Sequence, residues 1–281
     1  MNSSTGYYRR GGVRLAYERA GAGPLAVFLH GVGGNRSNWR GELERLGGAY
    51  CCVAWDARGY GDSDDPGEPL VFDDFALDLE ALLDHLGAER AHVVGLSMGG
   101  FIAQSFYMRC PQRVATLTLA ATSAGANLLT AAEREDFLAK RLRPLEAGHS
   151  IADIAPGLVD VLAGKRADAA IRERLRLSLI ALRPESYKQA LRALVTTDFR
   201  QALPSIEVGT LVVTGDDDRV FALSESEYLA QHIAGSRLTV IEGAGHLCNI
   251  EAPEEFAAAL SAFLSSERNS GASIVGPESW T

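Results

Sequence analysis

Ser97 stands in Gly95-Leu96-Ser97-Met98-Gly99, a G-x-S-x-G sequence between an apolar run and a helical pattern. A serine hydroxyl becomes a nucleophile when a base takes its proton and a carboxylate orients that base. On a strand-to-helix turn such a serine needs φ above zero and small neighbours, which Gly95, Gly99 and Gly100 supply. The five letters alone recur by chance, so the strand before and the helix after carry the weight. Of six histidines, His246 in Gly243-Ala244-Gly245-His246 follows a strand pattern, and its glycines let a loop fold back over a sheet edge. His85, His92, His149 and His232 sit in helical, strand or polar settings and read as ordinary surface or half-buried residues. His30 reads as a loop-shaping residue. For the acid, Thr214-Gly215-Asp216-Asp217-Asp218 follows an apolar run. Three adjacent aspartates cannot all face one site, and Asp218, three residues past the glycine, is preferred over Asp217.

Acyl transfer also needs donors for the developing oxyanion. His30-Gly31-Val32-Gly33-Gly34 ends another apolar run, and its glycines expose backbone N–H groups. The N–H of Val32 and that of Met98, just after the nucleophile, are the expected pair. A dinucleotide loop would require G-x-G-x-x-G opening a helix, and Gly31-x-Gly33-Gly34 lacks the third glycine. Trp39 is expected either in the core or as a wall of the substrate pocket. Asp56 and Arg58 are expected to tie down their own loop as a charge pair. Arg134, Arg141 and Arg143 could meet an anionic substrate, but the expected explanation for a run so spaced is a solvated helix face. The four cysteines, Cys51, Cys52, Cys110 and Cys248, show no metal-ligand spacing, and Cys248 reads as buried.

These residues need a sheet whose strand ends converge. Apolar runs at Leu25–Leu29, Tyr50–Trp55, Val93-Val94, Val114–Ala121, Thr210–Thr214 and Arg237–Glu242 alternate with helical patterns at Phe75–Leu86, Met98–Arg109, Leu223–Ile233 and Glu254–Leu264. That rhythm predicts an α/β fold with a mostly parallel central sheet. Tyr7–Arg10 and Val13–Arg19 around Gly11-Gly12 predict an opening hairpin. Residues 125–203 show no β-type run and read as short helices interrupted at Pro144, Pro156 and Pro184. The expected organisation is a core of residues 1–124 and 204–265, a helical cap over 125–203, and a loose tail over 266–281. The chain has 281 residues, 47% of them hydrophobic and 22% charged, enough for a sizeable core. A net charge of −9 disfavours nucleic acid and anionic membranes as partners. No apolar stretch approaches about 18 residues, and the first ten residues hold no hydrophobic segment. A reduced, cytoplasmic protein is expected, with self-association left open.

The His30-Gly31 loop, Asp56-Ala57-Arg58-Gly59-Tyr60-Gly61-Asp62-Ser63, the Ser97 elbow, Gly215–Asp218 and Gly243–His246 together resemble the serine-nucleophile α/β-hydrolases, from about Tyr7 to Leu264. Within that superfamily, Gly-Leu-Ser-Met-Gly-Gly and Gly-Ala-Gly-His-Leu-Cys-Asn-Ile-Glu-Ala-Pro-Glu-Glu-Phe resemble the 3-oxoadipate enol-lactonase-like group. One departure is Arg219-Val220-Phe221-Ala222, where relatives often carry prolines. The resemblance implies cleavage of a small-molecule carboxylic ester or lactone through an acyl-enzyme on Ser97, with no metal or organic cofactor. Two alternatives use the same residues: C–C bond hydrolysis of a dienoic keto acid and cofactor-free perhydrolysis. A third, of another class, is a ligand-binding receptor with slow residual turnover.

Overall fold

The computed structural model describes residues 3–66, 70–125 and 130–269. Its strands are β1 (Ser4–Arg10), β2 (Val13–Ala20), β3 (Leu25–Leu29), β4 (Cys51–Trp55), β5 (Ala91–Leu96), β6 (Val114–Ala120), β7 (Thr210–Gly215) and β8 (Arg237–Ile241). They form one sheet in the order β1-β2-β4-β3-β5-β6-β7-β8. The first two pairings, β1 with β2 and β2 with β4, are antiparallel, and the rest are parallel. β1 and β2 turn on Gly11 and Gly12, both at positive φ, as a tight hairpin requires. β3, β4 and β6 are buried along their whole length because helices cover both sheet faces.

The helices are α1 (Arg40–Leu46), α2 (Phe72–His85), α3 (Met98–Arg109), α4 (Ala131–Glu146), α5 (Ile151–Leu162), α6 (Ala169–Ile180), α7 (Pro184–Leu194), α8 (Leu223–His232), α9 (Cys248–Glu251) and α10 (Pro253–Asn269). α2 buries Phe75, Leu79, Leu82 and Leu83 at spacings of three and four. α4 to α7 all fall between β6 and β7. Among the described residues, no helix is long and apolar enough to cross a membrane.

Three sequence expectations about elements need correction. β5 runs Ala91–Leu96, longer than the apolar pair Val93-Val94 at its centre; His92 lies in the strand as expected, with Nδ1 paired to the Thr116 hydroxyl at 2.9 Å. Pro144 and Pro156 lie within α4 and α5 instead of ending them. The carbonyls that lose a partner belong to Lys140 and Ala152, both exposed residues, so water can satisfy them. Pro184 does open its helix. The expected tail does not start at residue 266, since α10 continues to Asn269. Arg237 Nη1 donates to Ser266 Oγ at 2.9 Å, and Arg237 also pairs with Glu267, which holds that last stretch against β8. Residues 270–281 of the expected tail lie outside the described residues.

One buried carboxyl on α1 has a consequence for stability. Glu42 is 1% exposed, and among the described residues its Oε1 has no hydrogen-bond partner. Burial pushes its pKa from 4.5 up to about 8, against the opposing pull of the Asn249 amide. Between those two values the folded chain holds a proton that the unfolded chain has released. Stability therefore falls as pH rises from 4.5 through 8, and this group adds no further loss above that. Glu42→Gln is expected to melt like the native chain at pH 5. At pH 8.5 it should be more stable, by about 4 kcal/mol at most. Thermal melts at the two pH values check this, and equal shifts at both would contradict it.

Candidate active site

The carboxyl ends of β3, β5, β7 and β8 bring the predicted residues to one edge of the sheet. Ser97 follows β5 directly and takes φ 56°, ψ −118°, one of two non-glycine residues at positive φ among those described. This strain persists because the surroundings leave no alternative. A Cβ on Gly95 would run into the Gly99 carbonyl, and one on Gly99 would run into the Leu29 carbonyl. The strand before and the helix after are therefore pressed together at distances only glycine permits. The Ser97 N–H donates to the Ala120 carbonyl at 2.9 Å, and its carbonyl accepts from the Thr122 hydroxyl at 2.8 Å. The elbow is thus fastened to the next strand on both sides.

His246 sits at the end of the loop after β8 and is 3% exposed. Its Nδ1 lies 2.9 Å from Asp218 Oδ2. The other carboxylate oxygen, Oδ1, accepts from the Val220 N–H at 2.8 Å and the Phe221 N–H at 3.1 Å. The run Arg219-Val220-Phe221-Ala222 supplies two donors here, which prolines at 220 and 221 could not. The neighbouring acids are occupied elsewhere. Asp216 Oδ1 accepts from the Gly243 N–H at 2.6 Å, and Asp217 pairs with Arg219. Of the three aspartates, Asp218 alone meets the imidazole.

Ser97 and His246 line one cavity of about 420 Å³ beneath α4–α7. No hydrogen bond among the described residues joins the Ser97 hydroxyl to the ring, a looseness common before substrate binds. The same cavity is lined by Val32. None of the hydrogen bonds among the described residues uses the N–H of Val32 or of Met98. Met98 is the first residue of α3, where an N–H has no partner within the helix. His30 shapes this loop as expected: its Nδ1 lies 2.8 Å from the Gly31 carbonyl, and its Nε2 accepts from the Ala57 N–H at 3.1 Å. Burial lowers its pKa, so it stays a neutral scaffold.

Two expectations change. Trp39 is not a pocket wall: it is 1% exposed, packs on Phe28 and Phe256 with ring centroids 5.3 and 6.0 Å away, and belongs to the core. The helical start after the Gly31 loop turns its side chain toward the sheet rather than the cavity. Asp56 and Arg58 serve structure, but not as each other's partner. Asp56 takes the side chain and the N–H of Arg36, along with the N–H of Asp62. Arg58 makes two bonds of 2.6 Å to the buried Asp78 carboxylate. Both pairings are made across the fold, beyond the reach of a local motif. Cys248 is buried, as expected, and burial holds its thiol pKa up.

The cavity wall is apolar apart from a few groups, and sequence left their orientation open. Arg141 on α4 lines it, with its guanidinium carbon 3.6 Å from the Phe137 ring centroid. Among the described residues no carboxylate pairs with it, and burial lowers its pKa. Lys140, also lining the cavity, is committed to Asp136 at 2.6 Å. Arg143 is exposed.

The relatives agree with this architecture. The α/β hydrolase fold model matches residues 24–253. The chain is 30% identical over 243 residues to 3-oxoadipate enol-lactonase 2 of Acinetobacter baylyi, covering 86% of this chain and 88% of that enzyme. A hydrolase from Pseudomonas aeruginosa superposes with a TM-score of 0.83 at 33% identity, covering 92% of this chain and 98% of that one. The enol-lactonase from Burkholderia xenovorans superposes with a TM-score of 0.83 at 25% identity, covering 92% and 100%. With nearly the whole described chain matched in sequence and in fold, the protein belongs to the α/β-hydrolase family.

Proposed function

We propose that this hydrolase cleaves a carboxylic ester or lactone with Ser97 as nucleophile, His246 as general base and Asp218 as the orienting acid. The observation that carries this reading is the 2.9 Å contact of His246 Nδ1 with a carboxylate pinned by two backbone amides, facing the cavity that Ser97 lines. With Nδ1 protonated and held by Asp218, Nε2 is the basic nitrogen. It takes the Ser97 proton as Oγ attacks the carbonyl carbon. The oxyanion that forms is held by the Val32 and Met98 N–H groups, each worth about 10²–10³ in turnover at such a site. The imidazolium then protonates the departing alkoxide. In a lactone that oxygen remains tethered to the acyl chain, and water activated by the same imidazole then cleaves the ester to Ser97 Oγ, releasing both ends as one product. Helices α4–α7 act as a lid that selects the acyl group.

The arginine on the wall narrows the substrate. A guanidinium in an apolar cavity, with a ring against its face and no carboxylate partner among the described residues, suits a substrate that ends in a carboxylate. Arg141→Met is expected to raise KM for an ester or lactone bearing a terminal carboxylate by roughly 10–100-fold. Neutral p-nitrophenyl acetate should be turned over within about threefold of native. A panel of carboxylate-bearing lactones, neutral methyl esters and dienoic keto acids tests the reading with both proteins. Preference for the dienoic keto acids would replace it with C–C bond hydrolysis, and an equal loss on every substrate would remove Arg141 from recognition.

A further inference from the structure

Glu251, the last residue of α9, is 6% exposed and takes no part in the chemistry above. Its Oε2 accepts from the Gly245 N–H at 3.0 Å and from the Gly164 N–H at 3.0 Å, while Oε1 lies 3.2 Å from the same Gly164 nitrogen. One carboxylate oxygen thus joins the residue before His246 to the segment between α5 and α6. The end of α5 and that segment grip the loop at two more points. The Leu162 carbonyl accepts the His246 N–H at 2.9 Å, and the Arg166 N–H donates to the Gly243 carbonyl at 3.1 Å. The two strips of backbone are so close that a Cβ on Gly164 would strike the amide of Gly245. On the opposite side, the Asp217 N–H donates to the Ala244 carbonyl at 3.0 Å. The loop is clasped between the acid-bearing turn and the helical insertion, and Glu251 closes the clasp.

We infer that Glu251 is a positioning residue for His246, fixing the backbone from which the imidazole reaches Ser97 and locking the α5–α6 segment onto that backbone. This rests on the reading of His246 as the general base. What matters is reach, since one oxygen must serve two amides at once. Charge is secondary. Losing that acceptor leaves two buried N–H groups unpaired and frees the loop to shift, and a displacement of about 1 Å costs on the order of 10²-fold in turnover. The walls formed by α4 and α7 are untouched, so ground-state binding should barely change.

The test compares Glu251→Gln, Glu251→Asp and Glu251→Ala in the full chain, beside Ser97→Ala, with kcat and KM on p-nitrophenyl acetate and a thermal melt for each. Gln retains an oxygen at the same reach and is expected to keep kcat within about fivefold of native. Asp keeps the charge but is one methylene short, and Ala offers nothing. Both are expected to lose about 30–100-fold in kcat with KM within threefold. If Ala does not fold, the Gln and Asp pair decides. Asp within twofold of native, or Gln as impaired as Asp, overturns the positioning role. Activity persisting in Ser97→Ala instead overturns the catalytic reading itself, whatever the Glu251 variants do.

Discussion

Replacing Ser97 by alanine is expected to lower kcat on p-nitrophenyl acetate by about 10⁴-fold or more, with KM nearly unchanged. The hydroxyl forms the covalent bond that splits acyl transfer into two steps, and no neighbouring group can stand in for it. Cys248 is buried with a thiol whose pKa burial holds up. The free N–H groups of Val32 and Met98 remain in the variant, so a residue of catalysis over water should survive from the oxyanion site alone. The fold should tolerate the change, because Ser97 is held through its backbone to Ala120 and Thr122, and alanine keeps the Cβ. Steady-state kinetics with a matched thermal melt checks this. A change below tenfold would favour a ligand-binding protein over an enzyme.

Asp218→Asn is expected to cost about 10³–10⁴-fold in kcat with the fold intact. The reason lies in how the carboxylate is pinned. Val220 and Phe221 both donate to Oδ1, so an asparagine must place its carbonyl oxygen there. Its NH₂ group then faces His246 Nδ1 across the present 2.9 Å contact. A donor at that position makes Nδ1 an acceptor and leaves the proton on Nε2, the nitrogen that must receive the serine proton. The ring would be well placed and in the wrong tautomer. A pH–rate profile alongside kcat separates this from a simple loss of orientation. Recovery of rate at high pH is expected, as hydroxide takes over from the disabled base, whereas a flat profile with native kcat would remove Asp218 from the triad.

The parts of the site that sequence made legible are those where backbone geometry restricts residue type. The Ser97 elbow needs glycine at 95 and 99 because a Cβ at either would meet a main-chain carbonyl. Asp218 and His246 follow strand ends marked by Gly215 and by Gly243 and Gly245, and strand ends of a parallel sheet converge at one edge. What sequence left open depends on long-range side-chain placement. Asp56 finds Arg36, 20 residues away, rather than Arg58, two residues away. Trp39 could face either way until the entry angle of α1 was known. Arg141 was one arginine among three on a helix, and only the packing of α4 against α7 turned it toward the cavity. Glu251 carried one readable signal, an acid six residues after Gly245 and directly after Ile250. Its second partner, Gly164, lies 87 positions away.

The most direct measurement of the central claim is covalent trapping at the nucleophile. The native chain is incubated with a fluorophosphonate, the loss of esterase activity is followed, and the digested protein is mapped by mass spectrometry. The account predicts one phosphonyl group per chain, on the peptide carrying Ser97, appearing in step with the loss of activity and far more slowly in Asp218→Asn. Full inactivation with the label on another residue, or continued hydrolysis by a chain labelled at Ser97, would contradict it.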